Sequence, residues 1–174
     1  MKTMIKSRRF VLRPYRKSDA LSLAGNINDK TISQNTLGVP FPYTLRDARQ
    51  WIAKCMKENR KKTPETMSFV VDINGEVAGA IGFHHLVKGH KAEVGYWLAR
   101  KYWNKGIMTD ALKLLTDFGF RKLGLRRIYA HVFIHNRGSM RVLEKCGYKR
   151  EGIRKNVVKR GNKLIDDVIF AKTR

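Results

Sequence analysis

The sequence predicts an α/β domain, a mixed and mostly antiparallel sheet of about seven strands with flanking helices. Three observations predict it. Short alternating or apolar segments recur along the chain, interleaved with segments of helical periodicity. Two turn signals, Asn74-Gly75 and Gly161-Asn162, mark antiparallel hairpins. One apolar segment, Glu93 to Leu98, passes through a basic turn into a helix and on to a second apolar segment, Arg127 to Ile134. That is the pattern of a parallel βαβ unit.

Taken in order, Arg9 to Arg13 alternates and reads as a first strand ending at Pro14. Ser18-Asp19 then caps a helix carrying Ala20, Leu21, Leu23 and Ala24. The polar stretch Asn28 to Asn35 reads as a short second helix, and Gly38 to Tyr43, with two prolines, as an irregular loop. Thr44 caps a third helix, in which Ala48, Trp51, Ile52, Cys55 and Met56 keep helical spacing. Met67 to Ile73 and Val77 to Leu86 form a hairpin, followed by the strand 93–98. The helix Ile107 to Leu123 gathers Ile107, Ala111, Leu115 and Phe118 on one face. After the strand 127–134, a short helix from Asn136 to Cys146 ends at Gly147, and strands Tyr148 to Arg154 and Leu164 to Ala171 close the sheet.

The 174 residues are expected to form one domain, 1–174, with enough apolar residues (43%) for a substantial core. No apolar run approaches the ~20 residues of a membrane span. The basic N-terminus lacks the apolar region of a signal peptide, so a cytoplasmic protein without a membrane role is expected. Cys55 and Cys146 stand apart with no zinc spacing, so no metal is expected.

The charge of +23 is unevenly spread. Residues 1–62 carry 15 basic and 4 acidic groups (net +11), residues 63–99 carry 2 and 4 (net −2), and residues 100–174 carry 20 and 6 (net +14). Such a balance suits a polyanionic ligand, and it also suits a loose, sequence-independent attraction to RNA or the ribosome.

The basic turn is the sharpest feature. In Trp97-Leu98-Ala99-Arg100-Lys101-Tyr102-Trp103-Asn104-Lys105-Gly106-Ile107-Met108-Thr109 a strand ends, a glycine follows, and a helix begins. Free N–H groups and the positive end of a helix dipole then converge on one spot, which binds phosphate, while Gly106 admits close approach and Lys101 and Lys105 add charge. Three further stretches accompany it. They are Pro40-Phe41-Pro42-Tyr43-Thr44, His131-Val132-Phe133-Ile134-His135-Asn136-Arg137-Gly138-Ser139, and Arg141-Val142-Leu143-Glu144-Lys145-Cys146-Gly147-Tyr148. In this order they resemble the GNAT acetyltransferases, and within them the RimJ/RimL type, which acetylates protein N-terminal amines. The likeness runs from the first strand to about Tyr148.

The resemblance implies acetyl-CoA as co-substrate and a splayed parallel strand pair that admits its pantetheine arm. The family's phosphate pattern falls on Trp103 to Met108, with Trp103 in place of Gln/Arg and Met108 in place of a small residue. Backbone groups of Asn104, Lys105, Gly106, Ile107, Met108 and Thr109 would hold the pyrophosphate. Trp97, Leu98 and Ala99 would hydrogen-bond the pantetheine, and one of their N–H groups would stabilise the oxyanion. Asn136 matches the family asparagine that contacts the cofactor arm, and it also suits a helix N-cap.

Glu93 and His131 compete for the role of base. Glu93 lies near the family's carboxylate position, and His131 lies five residues before Asn136, where some N-terminal acetyltransferases carry glutamate. An imidazole titrates near 6.5 and an α-amine near 8, so either group can take the proton, directly or through water. His84 and His85 face opposite ways mid-strand and read as structural. Many family members place a tyrosine acid where this chain has Leu143; Ser139, one turn earlier, matches the RimJ/RimL serine and is the candidate to hydrogen-bond the sulfur or the cofactor arm.

The leading reading is direct acetyl transfer to a primary amine, a protein N-terminus, in a ternary complex. A polyamine or aminoglycoside acceptor is the alternative within the enzyme class. It would want several carboxylates, for which Asp29, Glu65, Asp72, Glu76 and Glu93 are the candidates. A non-catalytic acetyl-CoA-binding or ribosome-associated module is the alternative outside it. Both a monomer and a homodimer fit the sequence.

Overall fold

The computed structural model describes residues 3–174; Met1 and Lys2, which begin the basic N-terminus, lie outside the described residues. The strands are β1 (Ile5–Lys6), β2 (Val11–Arg13), β3 (Met67–Ile73), β4 (Glu76–Val87), β5 (Lys91–Leu98), β6 (Arg127–Phe133), β7 (Lys149–Arg160) and β8 (Lys163–Thr173). The helices are α1 (Ala20–Ile27), α2 (Lys30–Asn35), α3 (Leu45–Glu58), α4 (Ile107–Lys122) and α5 (Arg137–Lys145), with short 3-10 turns at Lys17–Asp19 and Arg100–Tyr102. The strands form one sheet in the order β1-β2-β3-β4-β5-β6-β8-β7, and only the β5–β6 pair is parallel.

The sheet has eight strands rather than about seven. The additional one, β1, pairs just Ile5 with Leu12 and Lys6 with Val11, and two residues are too few to show a period. Phe10 belongs to the turn between them, its carbonyl accepting from the Ser7 amide at 2.9 Å. The C-terminal hairpin is longer than expected, reaching Arg160 on one side and Thr173 on the other. Its outer strand β7 is almost wholly exposed, so burial imposes no alternation that a sequence could display.

Two cores flank the sheet. Ala92, Val94 and Leu98 of β5, with Ile128, Ala130 and Val132 of β6, pack under Leu112 and Leu115 of α4 and Leu143 of α5. Val70, Val77 and Ala80 pack on the other face beneath Leu23 and Ile27 of α1 and Ala48, Ile52 and Cys55 of α3. Helix α3 starts in a reciprocal cap: the Thr44 hydroxyl accepts from the Asp47 amide at 3.2 Å, and the Asp47 carboxylate accepts from the Thr44 amide at 2.8 Å.

Asp19 does not cap α1 as expected. Its carboxylate turns back to accept two bonds from the Arg13 guanidinium, both 2.8 Å, and one from the Arg16 amide at 2.7 Å. Arg13 also donates to Asp72 of β3 at 2.5 Å, and Arg13 and Asp19 are only 3% and 4% exposed. A buried cation outcompetes a helix amide for a nearby carboxylate. This cluster pins β2, the turn before α1 and the end of β3 together.

Replacing Arg13 by Met should therefore strand two carboxylates, one fully buried. We expect a loss of about 3–5 kcal/mol of stability, read from urea denaturation; a loss under 1 kcal/mol would show that the cluster does not hold these elements.

Candidate active site

The site begins where β5 and β6 part. They pair over three rungs only, Lys91–Arg127, Ala92–Ile128 and Glu93–Tyr129, although β5 runs on to Leu98 and β6 to Phe133. Beyond Glu93 and Tyr129 a cleft opens between two parallel strands. Each wall is held from outside, β5 by β4 as far as Leu98 and β6 by β8 along its whole length.

The pleat decides which backbone groups face the cleft. The Ala99 amide donates to the Ala78 carbonyl at 2.8 Å, continuing the β4–β5 register. Antiparallel ladders alternate, so Trp97 and Ala99 turn their amides to β4 while Tyr96 and Leu98, beyond the last β5–β6 rung, turn theirs to the gap. Of the three expected pantetheine contacts, then, Leu98 keeps an amide toward the cleft, Ala99 has its amide committed elsewhere, and Tyr96 joins the lining. The Leu98 carbonyl is taken by the Trp103 indole N–H at 2.7 Å. The Trp97 side chain packs on the α1/α3 side of the sheet.

At the far end of β5 lies the basic turn. Asn104 and Gly106 are both left-handed (φ 59° and 74°), a conformation that Gly adopts freely and Asn better than most residues. Gly106 is the N-cap of α4, and no side chain caps that helix. The first intrahelical bond runs from Asp110 N–H to Gly106 C=O at 3.1 Å, so the amides of Ile107, Met108 and Thr109 have no intrahelical acceptor. These unpaired amides are what a pyrophosphate needs. The side chains of Ile107 and Met108 are buried in the core, so Met108 does not crowd the turn. Lys101 is not free to add charge there: its ammonium bonds Glu76, which also accepts from the Tyr102 hydroxyl at 2.5 Å and from Asn26 at 2.9 Å.

The Asn136 carboxamide caps α5 by accepting from the Ser139 amide at 3.1 Å. Ser139 also meets a residue that the sequence reading did not single out. The Tyr96 phenol lies 2.8 Å from Ser139 Oγ and 3.2 Å from the Ser139 carbonyl, which it can reach only as donor. Burial raises the Tyr96 pKa, against the pull of the Ser139 bond. Leu143 is fully buried in the core. A tyrosine hydroxyl is thus delivered beside Ser139 from β5 instead of from α5, a contact spanning 43 residues that no local pattern reveals.

Glu93 occupies the last rung before the cleft, beside Tyr129. His131 is one pleat further along β6, its ring edge-on to Tyr129 at 5.6 Å. The His131 Nδ1 atom is buried without a hydrogen-bond partner, 3.6 Å from Asp167, whose carboxylate is held by Arg154. His84 and His85 are closer to this group than their strand position suggested. A register shift after His84, with His85 at φ 48°, brings His85 Nε2 to 3.9 Å from Glu93, while His84 pairs with Glu93 across the ladder. Burial lowers the His84 pKa. Cys146 is buried, its thiol donating to the Thr109 carbonyl at 3.4 Å, and burial raises its pKa.

A second opening lies against the C-terminal end of β6. Arg160, at the end of β7, donates to the carbonyls of Ser33, Gln34 and Thr36 and stacks over Phe133 at 5.2 Å. It joins the loop after α2 to the C-terminal hairpin around a cavity of about 410 Å³, lined by Ser33, Leu37, Gly38, Val39, Pro40 and Arg160. Among the described residues no cluster of three or more potential metal ligands occurs, and no helix is long and apolar enough to cross a membrane.

Residues 9–149 match the model of the Acetyltransferase (GNAT) domain. The chain belongs to the GNAT acetyltransferase family. It is 32% identical over 160 residues to the probable N-acetyltransferase YjcK of Bacillus subtilis, covering 88% of each chain. A shorter stretch of 85 residues is 34% identical to spermidine N(1)-acetyltransferase of Escherichia coli, covering 48% of this chain and 46% of that one. The fold superposes on RimL, a ribosomal L7/L12 α-N-protein acetyltransferase solved with coenzyme A, with a TM-score of 0.88, 20% identity and 98% coverage of both chains. The activity of this family is acetyl-CoA-dependent N-acetyl transfer, and the cleft and the uncapped α4 turn fit that donor.

Glu76 anchors the 3-10 turn that leads to α4. Its bonds from Lys101, Tyr102 and Asn26 hold its pKa at about 2, well below the ordinary carboxylate value. A depressed pKa stabilises the fold above the unfolded value, about 4.3, and that contribution is lost as pH falls toward 2. Glu76→Gln should be less stable at pH 6 and should show a shallower loss of stability between pH 4.5 and 2. Urea midpoints at pH 6, 4 and 3 check this; parallel curves for the two proteins would refute it.

Proposed function

We propose that this enzyme transfers acetyl from acetyl-CoA to the α-amine of a protein N-terminus. The observation that carries the acceptor is how few of the candidate carboxylates are left unpaired to receive a polycation. Three of the five carboxylates that could attract a polyamine are already committed. Asp29 caps α2 and faces Arg100, Asp72 pairs with Arg13, and Glu76 holds Lys101. The cavity beside β6 presents Arg160 and apolar Leu37, Val39 and Pro40. A polycation gains little from such walls, whereas a peptide brings one amine and a mostly neutral chain. Relatives point both ways, RimL acting on a protein and the Escherichia coli enzyme on spermidine. The charge of the site favours the protein.

Acetyl-CoA supplies the activated acetyl group. The amides of Ile107, Met108 and Thr109 and the neighbouring turn from Asn104 to Gly106 would hold its pyrophosphate, and the Leu98 and Tyr96 edge of β5 its pantetheine. Asn136, whose Oδ1 is used in the cap, retains its NH₂ donors for that arm. Glu93 or His131 takes the proton of the entering ammonium, directly or through water. An inward-facing amide of β5 stabilises the charge that grows on the carbonyl oxygen. Ser139, hydrogen-bonded to Tyr96, donates to the sulfur as the C–S bond breaks. The exposed basic side chains of β7, Lys149, Arg150 and Lys159 among them, suit an acceptor carried on an acidic or ribosomal partner.

The test is CoA release with a panel of N-terminal peptides, spermidine and an aminoglycoside, with products identified by mass spectrometry. Peptide acetylated at its α-amine is expected. Turnover of spermidine alone would overturn the acceptor, and bound acetyl-CoA with no turnover of any amine would overturn catalysis as drawn. In the active assay, Glu93→Gln or His131→Ala should lower kcat by ~10²–10⁴-fold with acetyl-CoA affinity retained, and the variant that does so identifies the base.

A further inference from the structure

Arg9 sits in the turn between β1 and β2, almost a hundred residues before the basic turn, yet its guanidinium lies against it. Nη1 donates to the Lys105 carbonyl at 2.6 Å, and Nη2 to the Asp110 carboxylate at 2.5 Å. The same Nη2 is the nearest group to Gly106, 3.5 Å from where a Cβ would stand there. Two otherwise awkward features of the turn are thereby explained. Asp110 places a carboxylate in the first turn of α4, where it suits the helix dipole but opposes an incoming phosphate. Lys105 C=O must point away from the site for the following amides to point into it. One guanidinium satisfies both.

Resting on the donor site proposed above, we propose that Arg9 is a positioning residue for the pyrophosphate of acetyl-CoA. It fixes the Lys105-Gly106 peptide with its amides toward the ligand and cancels the Asp110 charge. Both Arg9 and Asp110 are nearly half exposed, so the pair contributes little to fold stability and its role is local. The chemistry recognised is a diphosphate, so the effect belongs to the nucleotide end of the donor and not to the thioester.

Acetyl-CoA affinity is measured by titration calorimetry, and kcat/KM with acetyl-CoA is compared with that for S-acetylpantetheine, which lacks the diphosphate. Arg9→Ala should weaken acetyl-CoA binding about tenfold or more, leave kcat at saturating donor within about twofold, and leave kcat/KM for S-acetylpantetheine unchanged. Arg9→Lys, which keeps the charge but cannot span both acceptors, should fall between. Adding Asp110→Asn to Arg9→Ala should recover at least half of the lost affinity on a logarithmic scale. Wild-type affinity in Arg9→Ala, equal losses with both donors, or no recovery in the double variant would each overturn the inference. A wild-type chain that binds no acetyl-CoA would overturn the donor site and this inference with it. One that binds acetyl-CoA but acetylates no peptide would leave the binding comparison as the deciding test of Arg9 alone.

Discussion

Everything in the site depends on two parallel strands that stop pairing after three rungs. Breaking a ladder inside a sheet leaves amides and carbonyls unpaired, which is costly where they are buried. Here the cost is confined to one edge of each strand. β5 keeps its antiparallel bonds to β4, and β6 keeps its bonds to β8, so each wall of the cleft is rigid without the other. The β5 amides left over are those of Tyr96 and Leu98, and a ligand that brings its own amides can complete the ladder. The cleft is therefore a missing strand, and its two ends are chemically different. At one end Glu93, Tyr129 and His131 gather titratable groups; at the other, Gly106 and α4 gather unpaired N–H groups.

Arginines tie this arrangement to parts of the chain far away in sequence. Arg13 and Arg9 are four residues apart and do opposite work. Arg13 is buried and holds the sheet to the turn before α1, while Arg9 is exposed and reaches the mouth of α4. Arg160 is a third, fastening the C-terminal hairpin to the carbonyls that end α2. Several of the 37 basic residues are thus structural clasps, which is why net charge alone is a poor guide to what the surface binds.

The βαβ unit and the N-caps at Thr44 and Asn136 were legible in the sequence because each is written in adjacent residues. What was not legible depends on contacts between distant segments. Asp19 read as a cap because Ser-Asp before an apolar run is a cap signal; nothing local said that Arg13 would be buried beside it. Lys101 read as a free charge because Glu76, its partner, lies on another strand. Ala99 read as a ligand contact because its direction is set by the register with Ala78. The bulge that turns His85 toward Glu93 leaves no mark in the composition of β4.

The hydroxyl pair illustrates how such a contact changes the chemistry. A leucine at position 143 suggested a missing acid, and Tyr96 is the hydroxyl that stands nearest to replacing it in the pair with Ser139. Its raised pKa argues for a different role. A thiol titrates near 8.5 and a phenol near 10, so a phenol is a weak source of a thiolate's proton, and burial of Tyr96 raises its pKa further. Ser139 is weaker still as an acid. What the pair offers is a fixed donor: if Tyr96 gives its own proton to the Ser139 carbonyl, the Ser139 hydroxyl can swing from Tyr96 to the sulfur. In the proposed transfer the proton itself comes from the ammonium form of the acceptor, which sheds two protons on becoming an amide. One would leave through Glu93 or His131 as proposed, and the other would be available to the departing sulfur. Leu143 can then serve the core, because stabilising a thiolate needs a donor in place and not a strong acid.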